Sequence, residues 1–457
     1  MNAKRLVGLL AVVVATSCQT YSPAPVDLVE HARQFAERIP DAPSIRQFVE
    51  RLRSQDPVLR PLDPADGLDL QEAHYVALLF NPELRTIRLR AGVTRVAAEN
   101  AGRWADPTLN GNFAKIMESV THPWLAGGSI GLTLPITGRP GLEKELAESQ
   151  HARALVEARV AEARALNNLD GAWARWSAAL LAVELIEDLV QRLVDLEAIV
   201  TRLAAAQLLN QVEARAFTLE RVSRQAQLVR TKASVAMAEI EIKQVLGLPP
   251  DRPLTLSPTI AIPMLVADAA ERRSRLLDSP SVAVAKRDHE VAERQLALAV
   301  RQQWPELTLF PGFQEEDAQP RPALGFSLPL PLWNANAREI AATRAGRDVA
   351  AAALRGQFER AVQALARFEV RRAVAMDQRS LVDTQLVPLA EQQVADGRRL
   401  ADLGQLNTLL ILDTLQRSYE AKALAIEAAL AEAEATIEIN ALFWPALTVG
   451  EAPEAGR

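Results

Sequence analysis

Two hydrophobic rhythms alternate along the chain. Ile186, Leu189, Leu193, Leu196, Val200 and Leu203 recur at steps of three and four residues, and Tyr419, Ala423, Ile426, Leu430, Ala433 and Ile437 repeat the pattern. This is the spacing of a coiled-coil seam rather than of a single helix lying on a core. Neither Gly nor Pro falls between Ala172 and Leu246 or between Gln405 and Trp444, so each region predicts a hairpin of long helices. A continuous helix from Gly141 to Leu203 would span roughly 95 Å at the usual rise per residue. Elsewhere the rhythm becomes strict alternation. Ile130, Leu132, Leu134 and Ile136 interleave with Ser129, Gly131, Thr133 and Pro135, and Leu324, Phe326, Leu328 and Leu330 with Ala323, Gly325, Ser327 and Pro329. Weaker alternation around Leu109 and Phe113, and around Leu307 and Leu309, supplies a partner for each, predicting strands at about 107–116, 129–136, 305–314 and 323–330. An apolar face carrying Ile130, Leu132, Leu134, Leu324, Phe326 and Leu328, backed by a small polar face, suits lipid on one side and water on the other.

The elements repeat. Asn81-Pro82 and Ser279-Pro280 each open a helix that ends before a Trp, a Pro and an alternating segment; Ser129–Ile136 parallels Ala323–Leu330; Leu246-Gly247-Leu248-Pro249 parallels Leu442-Phe443-Trp444-Pro445. Three ordered matches at nearly constant offset indicate a helix–strand–strand–helix–helix unit used twice. The expected division is a first unit over 68–250, a linker over 251–278, a second unit over 279–445 and a C-terminal tail over 446–457.

The start of the chain adds an address. Lys4 and Arg5 precede an apolar run from Leu6 to Ala15, the pattern of a secretory signal over 1–17. Ala15-Thr16-Ser17-Cys18 resembles a bacterial lipobox, with Ala15 where Leu is commonest, which makes Cys18 the expected lipid attachment site. The irregular segment 18–67 then leads away from the anchor, and Gln19 fits outer-membrane sorting. Cys18 is the sole cysteine, so no intramolecular disulfide can form. No later stretch is long and apolar enough for a membrane helix, so any span is made of strands. Four strands cannot close a membrane barrel, whereas a trimer supplies about twelve. Trp104, Trp304 and Trp333 stand where strands meet helices, as membrane-interface aromatics do.

Composition narrows the rest. Apolar residues make up 49%, charged 24% and aromatic only 5%, a profile of long packed helices without a compact aromatic core. A net charge of −6 leaves no basic footprint for nucleic acid. The His and Met residues are dispersed, and no P-loop, nucleophile elbow or ligand spacing occurs. The expectation is therefore a non-enzyme with no catalytic residues, cofactor or metal, dependent on a partner for energy.

The order of elements, the duplication, the lipobox and the segment Leu400-Ala401-Asp402-Leu403-Gly404, continuing through Leu409 to Tyr419, resemble the outer-membrane efflux protein, or TolC, family over about residues 68–445. The resemblance implies a mainly α protein with a small β part: long periplasmic coiled-coil hairpins plus four strands per chain in a shared 12-stranded trimeric barrel. It implies a lipid-anchored homotrimer in the outer membrane, meeting a periplasmic adaptor (membrane fusion) protein and an inner-membrane pump. The cargo would be small molecules or metal ions. Aligned on Gly404, with Asp402 beside it at the hairpin tip, the family's acidic ring at the periplasmic mouth falls on Asp413. The second acidic position is Leu410 here, and the first tip, Leu203 to Glu213, lacks the Gly. Two other readings use the same features: an exit duct for type I protein secretion, and a periplasmic coiled-coil structural lipoprotein whose hairpins pack on helices.

Overall fold

The computed structural model describes residues 21–55, 59–63, 67–117, 123–260, 265, 268–316, 319–403 and 407–445. It divides into two units, Met1–Ile39 and Pro40–Arg457. In the first, the described structure is one helix, α1 (Leu28–Ala36), started by Asp27, whose carboxylate accepts the N–H groups of Val29 and Glu30.

The second unit begins with α2 (Pro43–Gln55), α3 (Leu70–Phe80) and α4 (Pro82–Asn100). A β-hairpin follows, β1 (Thr108–Lys115) and β2 (Trp124–Leu134), then the helices α5 (Arg139–Ala205) and α6 (Gln211–Leu246). After the short α7 (Ala269–Arg275), the same order recurs as α8 (Pro280–Arg301), β3 (Leu307–Glu316), β4 (Gln319–Ser327), α9 (Ala337–Leu381), α10 (Val387–Asp402) and α11 (Thr408–Asn440). At 67 residues α5 runs for about 100 Å. In the second copy a five-residue π-turn, Val382–Leu386, separates α9 from α10.

Local chemistry fixes the junctions, and the repeated motifs meet there. Asn81 accepts from the N–H groups of Glu83 and Leu84 at 2.9 and 3.1 Å, starting α4 ahead of Pro82, and its own amide donates to the Val245 carbonyl at 2.9 Å. Two residues on, Gly247 ends α6 in the left-handed region at φ +67°. In the second copy, the Trp444 indole donates to the Asp278 carbonyl at 2.7 Å, docking the end of that unit on its start.

The strands differ from the alternation-based bounds. β2 begins at Trp124 because its first half pairs with β1, although Gly127 and Gly128 hide the alternation there. It ends before Pro135, and β4 ends at Ser327, before Pro329. Pro offers no N–H to a ladder, so Leu328 lies one residue past β4 rather than within it.

The sequence also suggested no compact aromatic core, and a small one exists. Trp173 is fully buried among Tyr75, Leu78, Leu166, Leu169, Ile242 and Leu246, and meets Trp176 edge to face at 5.8 Å between ring centroids. A second cluster joins the hairpins, with Ile186, Leu189, Leu193, Val200 and Phe217 packed on Leu412, Leu415 and Tyr419. The linker is fastened too: Leu68 and Thr255–Ser257 exchange backbone bonds of 2.9 and 3.1 Å, and the Thr259 N–H reaches Ser177 Oγ at 3.0 Å.

A Cβ at Gly247 would stand 2.2 Å from the Phe80 carbonyl oxygen in a left-handed backbone, whereas one at Gly92, inside α4, meets nothing within 4 Å. Gly247→Ala is expected to lower the thermal midpoint, and Gly92→Ala to leave it unchanged or raise it by the equivalent of about 0.5–1 kcal/mol. Circular dichroism melts of the two variants check this.

Candidate functional site

The four strands form one antiparallel sheet in the order β1-β2-β3-β4, which joins the two copies through β2 and β3. Paired residues share a face. Following the register, one face carries Leu109, Phe113, Ile130, Leu132, Leu134, Leu307, Leu309, Phe313, Leu324 and Phe326, with Lys115 and Trp124 at its far end; the other carries mainly small and polar residues, Thr108, Asn110, Asn112, Ser129, Gly131, Thr133, Thr308, Gly312, Gln314, Arg321, Ala323, Gly325 and Ser327, interrupted by Leu125 and Phe310. Leu324 and Phe326 are 74% and 75% exposed, and Leu109 and Phe113 are 75% and 84% exposed, so no other described part of the chain covers this face there. On the polar face Thr133 and Thr308 hydroxyls lie 3.1 Å apart. The strands hold 8, 11, 10 and 9 residues, close to the 9–11 of a tilted membrane strand.

Glycines seat aromatic rings on both faces. A Cβ on Gly128 would touch the Phe313 ring at 3.4 Å, and one on Gly131 would come within 3.0 Å of the Phe310 ring. Gly312 is tighter still, because a Cβ there would lie 2.2 Å from the Gly128 carbonyl oxygen. Pro311 sits opposite Ile130, where the β2–β3 ladder skips a step.

At the opposite ends of the hairpins, α5 turns into α6 through Ala206–Asn210, with Gln207 at φ +59° and Asn210 capping Val212. Above that turn Glu197 accepts from the Arg221 guanidinium and from the Thr218 hydroxyl, clasping the two arms. Those two donors, Arg221 foremost, hold the Glu197 carboxyl below the usual carboxylate range. The Thr408 hydroxyl, at the start of α11, donates to Glu213 at 2.8 Å and ties one hairpin to the other. Further up, Tyr419 accepts from Gln227 at 3.0 Å and lies under the Arg224 guanidinium at 4.8 Å.

With this geometry in view, solved structures provide the comparison. CusC, described for conformational changes accompanying folding and transmembrane channel formation, superposes with a TM-score of 0.70 at 14% identity, over 85% of this chain and 96% of that one. The outer-membrane channel OprN gives 0.70 at 15%, over 94% and 98%. The outer membrane protein VceC from Vibrio cholerae gives 0.68 at 17%, over 82% and 95%. This chain has the TolC-type outer-membrane channel fold. A scan of family models and a search of curated proteins match nothing in the sequence.

Within the TolC-type fold, the residues singled out from sequence fall into three places. Ile130, Leu132, Leu134, Leu324 and Phe326 lie together on the apolar face. Trp104, Trp304 and Trp333, exposed by 68%, 59% and 93%, lie in the segments joining sheet to helices. Asp413 is on α11 near the second tip, where its carboxylate accepts from Arg417 Nε at 2.8 Å and raises the guanidinium's pKa. Asp402 ends α10, while Cys18 and Gly404 lie outside the described residues. Trp124 was missed: it begins β2 at the far end of the sheet, with Lys115 Nζ 5.4 Å from its ring centroid. With it, exposed tryptophans flank the strands at both ends. Its signal was present in the sequence but sat ahead of the alternating run. Phe310 was also missed as the aromatic of the polar face, because Pro311 breaks the alternation beside it.

Among the described residues no His, Cys, Asp and Glu group could hold a metal ion, and no helix is long and apolar enough to cross a membrane. Arg221 and Thr218 hold the Glu197 carboxyl low in the folded protein. Such a group adds stability in full above its unfolded pKa of about 4.3, and loses it as the pH falls through the lower folded value. Acidification below about pH 4 is therefore expected to loosen the first tip, and Glu197→Gln to shrink the drop in melting temperature between pH 7 and pH 3.5. Equal drops in both proteins would contradict the assignment.

Proposed function

We propose that the chain is one subunit of a trimeric outer-membrane exit duct. Three four-stranded sheets join edge to edge into one barrel, and the long helices continue it as a periplasmic tunnel toward an adaptor protein and an inner-membrane pump. The observation that carries this reading is the sheet itself, apolar on one face, small and polar on the other, and ending in two edge strands, β1 and β4. Lipid provides no donors or acceptors for an open edge, so a spanning sheet has to close. Closure by a second and third copy gives twelve strands, within the range of known barrels. The apolar face then meets the lipid tails and the polar face lines a water-filled passage.

In this reading export is passive, driven by the pump, and the passage serves small molecules or metal ions. Cys18 carries the lipid that holds the N-terminus at the outer membrane. Asp413 belongs to the constricted periplasmic mouth, where three copies make a ring that attracts cations. Its exposed pairing with Arg417, one turn along the same helix at 2.8 Å, tempers that charge.

Reconstitution in planar bilayers tests the proposal. The purified protein is expected to give discrete conductance steps, and Asp413→Asn to lower cation preference without abolishing them. A well-folded oligomeric sample that stays silent, in both the parent and the variant, would overturn the duct.

A further inference from the structure

One ring stands on the wrong side of the sheet. Phe113, Trp124, Phe313 and Phe326 all lie on the apolar face, and Phe310 is the one aromatic residue that the described strands place on the polar face. Successive residues of a strand point to opposite faces, so Leu309 and Pro311 on either side of it belong to the apolar face. A large apolar side chain turned toward water forgoes the burial that a place among lipid-facing neighbours would give it.

The neighbouring strands leave room for this ring. Phe310 pairs with Gly325 of β4, and the register set by Leu132 with Leu309 and by Ser129 with Gly312 brings Gly131 of β2 across from it. Neither neighbour has a side chain. A Cβ on Gly131 would come within 3.0 Å of the ring at Cε1 and 3.4 Å at Cδ1, whereas one on Gly325 would meet the Phe310 Cβ at 3.5 Å. The ring therefore leans from β3 over Gly131. Phe310 is half-buried, one side of the ring being taken up by the sheet. Hydroxyls border it. Thr108 Oγ1 also lies over Gly131, and the Thr133 and Thr308 hydroxyls, 3.1 Å apart, stand one row away.

Covering a glycine backbone with an aromatic ring is a structural device in its own right, and it accounts for the lean over Gly131. It uses one side of the ring. The other side faces the space in front of the polar face, where the side chains around it offer hydrogen bonds but no comparable flat apolar surface.

We propose that Phe310 is a contact platform for cargo, and that its open side takes planar aromatic cations by stacking. The proposal rests on the duct reading, in which the polar face lines the passage and three copies set three such rings around it. The face of an aromatic ring is electron-rich, so it draws flat π-systems and cations together. Cations are also what a ring of Asp413 carboxylates would admit at the mouth. The attraction of one ring is small, which suits a passage, since a solute must leave as readily as it enters.

The test uses the full-length protein in membranes with Ser129→Cys, two residues from Gly131 on the same face. A water-soluble methanethiosulfonate modifies that thiol, and the chain without the added cysteine sets the background. N-methylacridinium is expected to slow the modification. Phe310→Leu, apolar but without the ring, is expected to raise the half-protecting concentration about two- to fivefold, and Phe310→Trp to lower it. A purely structural ring would shift the melting temperature of the variants and leave protection unchanged. Equal protection in all three forms, no protection in the parent, or a thiol that the aqueous reagent never reaches would each overturn the platform. Should the Leu form fail to fold, the Trp form decides, and half-protection at the parent's concentration or higher would overturn it. Modification needs no conductance, so the two readings part: protection in a silent protein would remove the duct and leave the binding site, and conductance with unchanged protection would do the reverse.

Discussion

An unpaired backbone group cannot be left in hydrocarbon, and the architecture of this chain answers to that constraint. The helices satisfy their own N–H and C=O groups, but the four-stranded sheet ends in β1 and β4 with two rows of groups facing outward. In water such edges would be a liability to be covered or charged. In lipid each open group costs several kcal/mol. The side chains give no sign of covering: the residues of β1 are exposed along its whole length. In the proposed duct, closure with further copies would satisfy both edges. The helices leave the sheet together from one end, and glycines at 128, 131 and 312 let rings and backbones approach closely enough for the strands to pack.

The helical part solves a different problem, how to build long walls without a globular core. Seams of Ile, Leu and Val at three-four spacing join the arms of each hairpin and the hairpins to each other, and they are assisted by cross-helix pairs such as Arg221 with Glu197 and Arg379 with Glu432. The largest of the buried clusters among the described residues gathers where α2, α3, α5 and α6 meet, around Trp173. It lies beside the junctions at Asn81 and Gly247, so the place where the repeat closes on itself is also the place of deepest burial.

Much of this was legible in the sequence, because the two rhythms, coiled-coil and alternating, are direct images of the physical environments. The doubled unit and the strand pairs could be read that way. The bounds of β2 and β4 could not, since glycines at 127 and 128 dilute alternation where pairing with β1 decides, and prolines at 135 and 329 end the ladder before the apolar pattern ends. The aromatic core was hidden by averaging: seven tryptophans in 457 residues look sparse, yet two of them meet at one point. The π-turn was hidden by the same logic in reverse. Pro388 lies between the second strand pair and Gln405, where no helix bounds were read, and only the geometry reveals the π-turn.

In the proposed duct, β1 of one chain pairs with β4 of the next. Cysteines placed at Asn110 on β1 and, in turn, at Arg321, Ala323 and Gly325 on β4, all on the polar face, sample the possible registers, and oxidation followed by denaturing electrophoresis reads the result. At least one pair is expected to give covalent dimers and trimers and nothing larger. Absence of cross-linking in every pair, or a ladder extending beyond three, would contradict a closed barrel of three chains.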